Sequence, residues 1–297
     1  MNRNTKSVLD DLRALFRCDW IALPKGMYGY ASAALVYESG RVLWGGSDDM
    51  GVHVSLPSSA ISLSGFDPIS LLVDLRKLRM RFTRVDLAAD DFEGILNLDS
   101  IEHCTKNGLF ASRWRKWLYN EDSGGGRTWY YGDSQSDARM RIYDKAAERR
   151  GAGEDYQGHW VRVELRLKDE RADAAVSYII QHLDGWHGWA CGVIRGYIDF
   201  KDDSSSDSNA TRRKTALWWD RFLQSAARQR ITVPIEVRTI DDVARWFEHQ
   251  LAPSVCVLRT VFGEDKFTDM VTAGSSRWRS KHLSMIDRAL AYGSGRN

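Results

Sequence analysis

Apolar residues recur with two different periods along the first part of the chain. Apolar residues spaced three or four positions apart predict one helix over residues 7–16 and another from Pro68 towards Arg79. Between them, β-rich runs broken by proline and glycine predict an antiparallel meander. Its strands are predicted over residues 20–23, 28–37, 41–44 and 52–56.

A second set of strands follows the second helix. Residues 81–88 predict a strand, and residues 98–106 predict a helix that ends before Gly108. Residues 128–131 and 139–145 predict a hairpin, and residues 160–168 a further strand. The fold class is therefore predicted as α+β, with antiparallel sheets and packed helices in two related halves and a mainly helical C-terminal region.

The composition changes near residue 201. The segment KDDSSSDSN is polar and low in complexity, which is typical of a linker or surface loop. Helical patterns dominate after it, over residues 211–229, 241–251, 254–262 and 276–292. We therefore expect one domain over residues 1–200, a polar linker or loop over residues 201–210, and a helical region over residues 211–297.

Composition restricts the class of protein only in part. The net charge of +2 does not by itself indicate a nucleic-acid partner, so a basic surface must come from how the charges are distributed. The 4 cysteines form no CxxC pair, which argues against a zinc knuckle or a disulfide framework and favours a reducing cytoplasm. No run of eighteen apolar residues and no signal-peptide core occur, so we expect a soluble protein with no membrane partner.

The segment ARMRIYDK places a phenol among cations. Strict alternation in a strand puts Arg139, Arg141, Tyr143 and Lys145 on one face. A tyrosine with an ordinary pKa of about 10 needs a nearby cation or metal to attack a phosphodiester. Tyr143 is therefore the candidate nucleophile, with Arg141 and Lys145 as its helpers. The alternative is an ordinary amphipathic strand whose charges are solvated.

Two further strands carry carboxylates on a basic face. In WVRVELRLK, alternation leaves Glu164 as the lone acid among basic residues, which are Arg162, Arg166 and Lys168. In RVDLAADD, Asp86 shares its side with Arg84, and with Asp90 if the strand continues that far. Carboxylate oxygens are the ligands that Mg²⁺ and Mn²⁺ prefer, so these acids are candidate metal ligands. The alternative is that they are charge partners on a solvated sheet face.

Several other residues remain ambiguous. His53 faces the polar side of its strand and is either a metal ligand, a phosphate contact or a structural histidine. Tyr130 and Tyr131 are fallback nucleophiles or sheet-packing residues. Three basic clusters suit either phosphate contact with base stacking or a solvated helix face. These are SRWRKW at residues 112–117, Arg212 with Arg213 and Lys214, and SSRWRSKHL with Arg277, Arg279 and Lys281 around Trp278.

Three segments together resemble the Rep_trans or replication initiation factor family. They are RVDLAADD, TWYYGDSQSDARMRIYDKAAE and WVRVELRLK. Members of this family are the trans-acting initiators of rolling-circle plasmids and filamentous phages. Weaker similarities are DWIAL, GVHVSL and RGYIDFKD followed by TRRKTALWWDRFL, so the resemblance covers about residues 18–225. The chain departs from the pattern at VSLPSSAIS, where a glycine-rich turn is expected, and residues after 230 match no motif.

The resemblance implies a site-specific endonuclease and ligase that nicks one strand at the origin. A tyrosine becomes linked to the 5′ phosphate and leaves a 3′ hydroxyl for a host polymerase. Tyr143 matches the IYxK tyrosine, while Asp86 and Glu164 match the aspartate and ExR motifs assigned to Mg²⁺ or Mn²⁺. The His-hydrophobic-His pair of the other large nickase superfamily does not occur.

The same resemblance implies partners and a location. The partners are single-stranded or supercoiled origin DNA and a host helicase and polymerase. Two alternatives stay open: one tyrosine performs both cleavage and rejoining, or a second copy of the chain in a homodimer supplies the other tyrosine. The expected location is the cytoplasm of a bacterial host cell. Residues 1–200 would form the nicking domain, and the C-terminal region would recognise the origin.

Two other functions fit the same residues. A non-catalytic origin-binding or regulatory protein would use the basic faces for salt-sensitive phosphate contacts without cutting DNA. A conjugative relaxase would use the same nicking reaction for DNA transfer. The tyrosine and the acids favour an enzyme, because a protein that only binds DNA has no need for carboxylates on a basic face.

Overall fold

The computed structural model describes residues 5–204, 207–224, 226–229, 231, 240–278 and 280–293. The chain forms two compact units, Met1–Val233 and Pro234–Asn297. The first unit contains antiparallel sheets with packed helices, and the described part of the second is helical. The predicted α+β class is confirmed.

The first unit begins with helix α1 (Thr5–Phe16) and a four-stranded antiparallel sheet. Its strands, in spatial as well as chain order, are β1 (Ile21–Ala22), β2 (Ser32–Val36), β3 (Gly40–Trp44) and β4 (His53–Ser55). Helices α2 (Ser58–Ser64) and α3 (Pro68–Lys77) follow. The N-cap Asp67 accepts a hydrogen bond from the Ser70 backbone N–H, which satisfies one free donor at the start of α3. Apolar side chains of α1, α3 and the sheet form one core.

A five-stranded antiparallel sheet carries the predicted chemistry. Its spatial order is β5 (Arg84–Asp91), β10 (Val161–Lys168), β9 (Ala138–Asp144), β8 (Arg127–Tyr131) and β7 (Trp117–Glu121). The chain-order neighbours β7, β8 and β9 form a meander, whereas β10 inserts between β9 and the edge strand β5. Residues that are widely separated in the sequence are therefore direct neighbours.

One face of this sheet is apolar and packs on helices. Val163, Leu165, Met140 and Ile142 are fully buried there, as their alternation with charged residues predicts. The helices that contribute buried residues to the same core are α4 (Leu98–Lys106), α6 (Asp169–Gln181), α7 (Trp186–Tyr197) and α8 (Leu217–Phe222). The short strands β6 (Phe110–Ser112) and β11 (Ile198–Phe200) form a third, two-stranded sheet. Because helices cover the apolar face of the five-stranded sheet, its charged side chains lie on the other face.

Residues after 210 do not form the long helix predicted over residues 211–229. A 3₁₀ turn, Ala210–Arg212, precedes the short α8, and Trp219 is fully buried in the core. The Gln229 N–H donates to the Gly192 carbonyl of α7, so that part of the backbone is bonded to the core instead of to its own helix. The first unit therefore continues past residues 201–210 as far as Val233, and the assignment of nicking and origin recognition to separate regions stays a prediction.

The second unit consists of helices in its described part. They are α9 (Ile240–Trp246), a π-helical turn (Phe247–Leu251), α10 (Ala252–Phe262), α11 (Glu264–Thr272), a 3₁₀ turn (Ala273–Arg277) and α12 (Ser280–Gly293). Gly263, with φ of 77°, separates α10 from α11 in a conformation that favours glycine. Across the described residues of both units, no helix has the length and apolar character needed to cross a membrane.

Candidate active site on the five-stranded sheet

The second face of the five-stranded sheet is polar, and we call it the polar face. Pairing register aligns its side chains in rungs that run across the strands. Its charged and phenolic members are Arg84, Asp86 and Asp90 on β5, Arg162, Glu164, Arg166 and Lys168 on β10, Arg139, Arg141 and Tyr143 on β9, and Tyr130 on β8. The predicted nucleophile and the predicted metal ligands therefore share one surface.

The central rung is built around an ion pair. Glu164 lies opposite Arg141 on β9, and Arg141 lies opposite Tyr130 on β8. The Arg141 Nε and Nη2 donate to the two Glu164 carboxylate oxygens at 2.9 and 2.8 Å. This two-pronged geometry is the strong form of an arginine–carboxylate pair. Burial acts to lower the pKa of Arg141, but the hydrogen bonds to Glu164 outweigh burial and raise this pKa. The guanidinium therefore stays charged.

Tyr143 lies in the next rung, between Arg162 on β10 and Thr128 on β8. Only 3% of the residue is exposed. The Arg141 guanidinium carbon lies 4.4 Å from the ring centroid, and its Nη2 lies 3.4 Å from the phenolic oxygen. Burial raises the pKa of Tyr143 to about 12, while Arg141 and Arg162 act in the opposite direction. In this arrangement the phenol is protonated at neutral pH.

Lys145 remains near Tyr143, although the strand does not continue to it. β9 ends at Asp144, whose side chain accepts a hydrogen bond from the Ala147 N–H and so caps α5 (Lys145–Gly151). The Lys145 Nζ is 5.8 Å from the Tyr143 ring centroid and is bonded to Glu148. The predicted proximity therefore arises from a strand-to-helix junction instead of strand alternation.

The strand β5 does extend to Asp90, as the carboxylate prediction required. Asp90 accepts hydrogen bonds from the Arg162 Nε and Nη2 at 2.6 and 2.8 Å and from the Trp160 indole at 2.6 Å. Asp86 accepts from the Arg84 Nε at 2.9 Å, and its Oδ1 lies 3.7 Å from the Arg166 Nε. Every carboxylate of the polar face thus has an arginine partner.

These carboxylates suit a hard divalent cation by their chemistry. On β5, Asp86 and Asp90 are the two diagonal neighbours of Glu164. Diagonal neighbours in an antiparallel pair are typically about 7–8 Å apart. Oxygen donors of this kind are preferred by Mg²⁺ and Mn²⁺. In the described part of the chain, no three histidine, cysteine, aspartate or glutamate side chains converge closely enough to hold an ion. Asp86, Asp90 and Glu164 stay predicted ligands whose ion pairs with arginine would have to open.

The remaining predicted residues of the sheet lie at its polar face or at its ends. The Arg139 guanidinium carbon stacks 4.2 Å from the Tyr130 ring centroid. Lys168, at the end of β10, donates to the Ser134 carbonyl at 3.2 Å. Tyr131, in contrast, is buried in the core and bonded to the Thr105 hydroxyl, and burial raises its pKa. Of the two fallback tyrosines, only Tyr130 therefore lies on the polar face.

The other predicted DNA-binding residues lie on other elements. Arg212 and Arg213 are at the 3₁₀ turn before α8, where both bond to Asp207. Arg277 belongs to the second unit and is exposed, whereas Arg279 and the side chain of Lys281 lie outside the described residues. His53 is on β4 of the four-stranded sheet, where burial lowers its pKa.

A histidine–aspartate pair that was not predicted from the sequence lies beside this site. The His159 Nε2 lies 2.9 Å from an Asp91 oxygen, although 68 positions separate the two residues. Burial acts to raise the pKa of Asp91, but backbone N–H donors at Leu96, Ile95 and Glu93 and the histidine outweigh it and lower the pKa. Because Asp91 is at the end of β5 next to Val161, only the strand pairing could have revealed this contact.

Comparison with known proteins identifies the family of the chain. The sequence model of the replication initiation factor family matches residues 80–273, which include the whole five-stranded sheet. The chain belongs to the replication initiation factor family. That membership confirms the resemblance inferred from the three segments, two of which lie on β5 and β10 and one of which spans β8 and β9.

Two relatives of this family member are informative. A Bacillus subtilis (strain 168) protein named as a candidate DNA relaxase, NicK, is 29% identical over 224 residues, which cover 71% of this chain. The match spans 62% of the length of that relative. A solved structure of a rolling circle replication initiator protein from Geobacillus stearothermophilus has a TM-score of 0.65 and 26% identity, with 76% of this chain and 89% of that chain covered.

Proposed function

We propose that this protein is a rolling-circle replication initiator that nicks and rejoins one DNA strand through Tyr143. The observation that carries the proposal is the position of Tyr143 between Arg141 and Arg162 on the polar face. Guanidinium groups at this position stabilise a phenolate and bind a phosphate. Family membership and the name of the Geobacillus stearothermophilus relative support a role in replication initiation, and the name of the Bacillus subtilis relative supports DNA relaxase chemistry.

The proposed reaction transfers a phosphodiester to the tyrosine. The Tyr143 oxygen attacks phosphorus, the bond from phosphorus to the 3′ oxygen breaks, and the 5′ phosphate becomes linked to the protein. The phenol proton passes to water, and the departing 3′ oxygen takes up a proton to become a hydroxyl. Attack by that hydroxyl on the phosphotyrosine reverses these steps and rejoins the strand.

The charged neighbours of Tyr143 have separate roles in this proposal. Arg141 and Arg162 favour the phenolate, and Lys145, near the ring, neutralises charge on the phosphate oxygens. Asp86, Asp90 and Glu164 would hold Mg²⁺ or Mn²⁺, which when bound polarises the scissile phosphate. The burial of Tyr143 requires that DNA binding rearranges these side chains, because only 3% of the residue is exposed.

The alternative is an origin-binding protein without chemistry. The pairing of each carboxylate with an arginine and the protonated, buried Tyr143 favour it. A conjugative relaxase is a variant of the first proposal with the same nicking step, and the name of the Bacillus subtilis relative favours it. Only the first proposal and its variant require a covalent product.

The test is adduct formation with single-stranded origin DNA and Mn²⁺, resolved on a denaturing gel. Tyr143→Phe should abolish the adduct, and chelation of the metal should abolish it in the wild type. Tyr130→Phe is the matched control, because it removes a phenol one rung away on the same face and should leave the adduct intact. Salt-sensitive binding without an adduct from the wild type would instead support the origin-binding alternative.

A further inference from the structure

Two arginines of the polar face stand directly opposite each other. Arg139 on β9 and Arg166 on β10 are register partners in the antiparallel pair. Like charges at directly opposite positions destabilise a sheet unless something neutralises them. This rung is therefore unusual, since the next two rungs place Arg141 against Glu164 and Tyr143 against Arg162.

The two arginines are incompletely partnered. Within the described residues, no ion pair joins Arg139 to a carboxylate; its guanidinium stacks on Tyr130, and its charge acts on Asp133 only over a longer distance. Arg166 approaches Asp86 at 3.7 Å, but Asp86 is already bonded through both oxygens to Arg84. The Nε atoms of Arg139 and Arg166 are both buried without a hydrogen-bond partner. Buried unsatisfied donors cost free energy, so a ligand oxygen that reached both groups would be favoured here.

A small cleft lies between these side chains. It is lined by Tyr130, Arg139, Met140, Arg141, Glu164 and Arg166. The one carboxylate of the cleft is neutralised, because both Glu164 oxygens accept from Arg141. The charges of Arg139 and Arg166 therefore remain in excess, which suits an anion with several acceptor oxygens.

We propose that Arg139 and Arg166 together bind one non-scissile phosphate of single-stranded DNA, with the adjacent base or sugar against Tyr130. Four strand positions separate Arg139 from Tyr143, or about 13 Å at about 3.3 Å per residue, so this phosphate is not the one that Tyr143 attacks. A shared phosphate neutralises the facing charges, and a shift of the two arginine side chains would bring both buried Nε groups within reach of its oxygens. This inference rests on the proposed function only in placing single-stranded DNA on the polar face.

Binding of a fluorescent twelve-nucleotide thymidine strand tests the proposal. All proteins carry Tyr143→Phe and are assayed with a chelator, so failure of the nicking proposal would not affect the result. Affinity is measured between about 50 and about 200 mM salt. Arg139→Gln should reduce the slope of log affinity against log salt by about 0.7, the value for one phosphate contact on a single strand.

Because one phosphate is shared, Arg166→Gln should reduce the slope by the same amount. The double variant should reduce the slope by no more than either single variant. Arg139→Lys should retain the slope, since it keeps the charge. Arg13→Gln is the control, because this exposed residue of α1 pairs with Asp10 and does not belong to the five-stranded sheet. An unchanged slope in both single variants, or an additive loss in the double variant, would overturn the shared phosphate.

Thermal unfolding of the same variants excludes a merely structural role. Removal of one of two facing like charges should leave the melting temperature unchanged or raise it. A fall of several degrees in both Arg139→Gln and Arg166→Gln would mean that the arginines are needed for the fold, and the proposal would then fail.

Discussion

Arg141 and Glu164 lie directly opposite on β9 and β10 and form a two-pronged ion pair in the centre of the polar face. Glu164 is 6% exposed, so the pair is largely removed from water on the carboxylate side. The same guanidinium stacks on Tyr143. Arg141 therefore links the most buried acid of the polar face to the predicted nucleophile.

Loss of either partner of this pair should destabilise the first unit. Glu164→Gln leaves Arg141 without its carboxylate, and a broken buried pair costs about 3 kcal/mol. Urea unfolding would measure the change, with Arg141→Met and the double variant completing a double-mutant cycle. The double variant should be more stable than the sum of the single losses predicts, and simple additivity would show that the pair contributes no coupling.

Adduct formation should accelerate as the pH rises. Burial raises the pKa of Tyr143 to about 12, so the phenolate is scarce near neutrality and its fraction increases about tenfold per pH unit below that value. Single-turnover adduct formation from about pH 7 to about pH 9 would measure the effect. Tyr130→Phe should show the same dependence. A rate that stays flat over this range would contradict phenolate formation as the limiting requirement.

Asp91 should stabilise the protein in a pH-dependent way. Its pKa is lowered in the folded state, so its contribution is present above the unfolded pKa of about 4 and is lost as the pH falls through the lower folded value. Asp91→Asn should cost about 1–3 kcal/mol at neutral pH, and the difference from the wild type should shrink below about pH 4. Exposed Asp48→Asn is the control, and a pH-independent difference would contradict the linkage.

A metal-binding role for Asp86 has a separate test. Asp86→Asn should raise the Mn²⁺ concentration for half-maximal adduct formation by about tenfold, equivalent to about 1.4 kcal/mol. Binding of the same DNA in the presence of a chelator should change little. If Asp86 serves only as a partner for Arg84 and Arg166, the Mn²⁺ requirement will stay at the wild-type value.

Much of the fold could be predicted from local pattern. The helix over residues 98–106 has the predicted bounds, and α3 begins at Pro68 as expected. Helix α6 was missed because Ala172 and Ala175 form part of its buried face, and small residues give a weak hydrophobic signal. The segment at residues 211–229 was predicted as a helix because periodicity does not show that its backbone bonds to α7.

For the site, the sequence predicted only which face of its strand each side chain occupies. Alternation correctly placed Tyr143, Glu164 and Asp86 on polar strand faces. It could not show that β10 lies between β5 and β9, so neither the Arg162–Asp90 pair nor the His159–Asp91 pair was predictable. Pairing across the sheet is a long-range property that a single sequence does not specify.

The role of Tyr143 as nucleophile is tested most directly by identifying the residue that carries DNA in the covalent adduct. Nuclease and trypsin digestion followed by tandem mass spectrometry would separate the candidates, because trypsin cleaves after Arg139, Arg141 and Lys145. A nucleotide phosphate is expected on Tyr143 in the peptide of residues 142–145. A nucleotide on Tyr130 in the peptide of residues 128–139, or no modified peptide from an active preparation, would contradict this role of Tyr143.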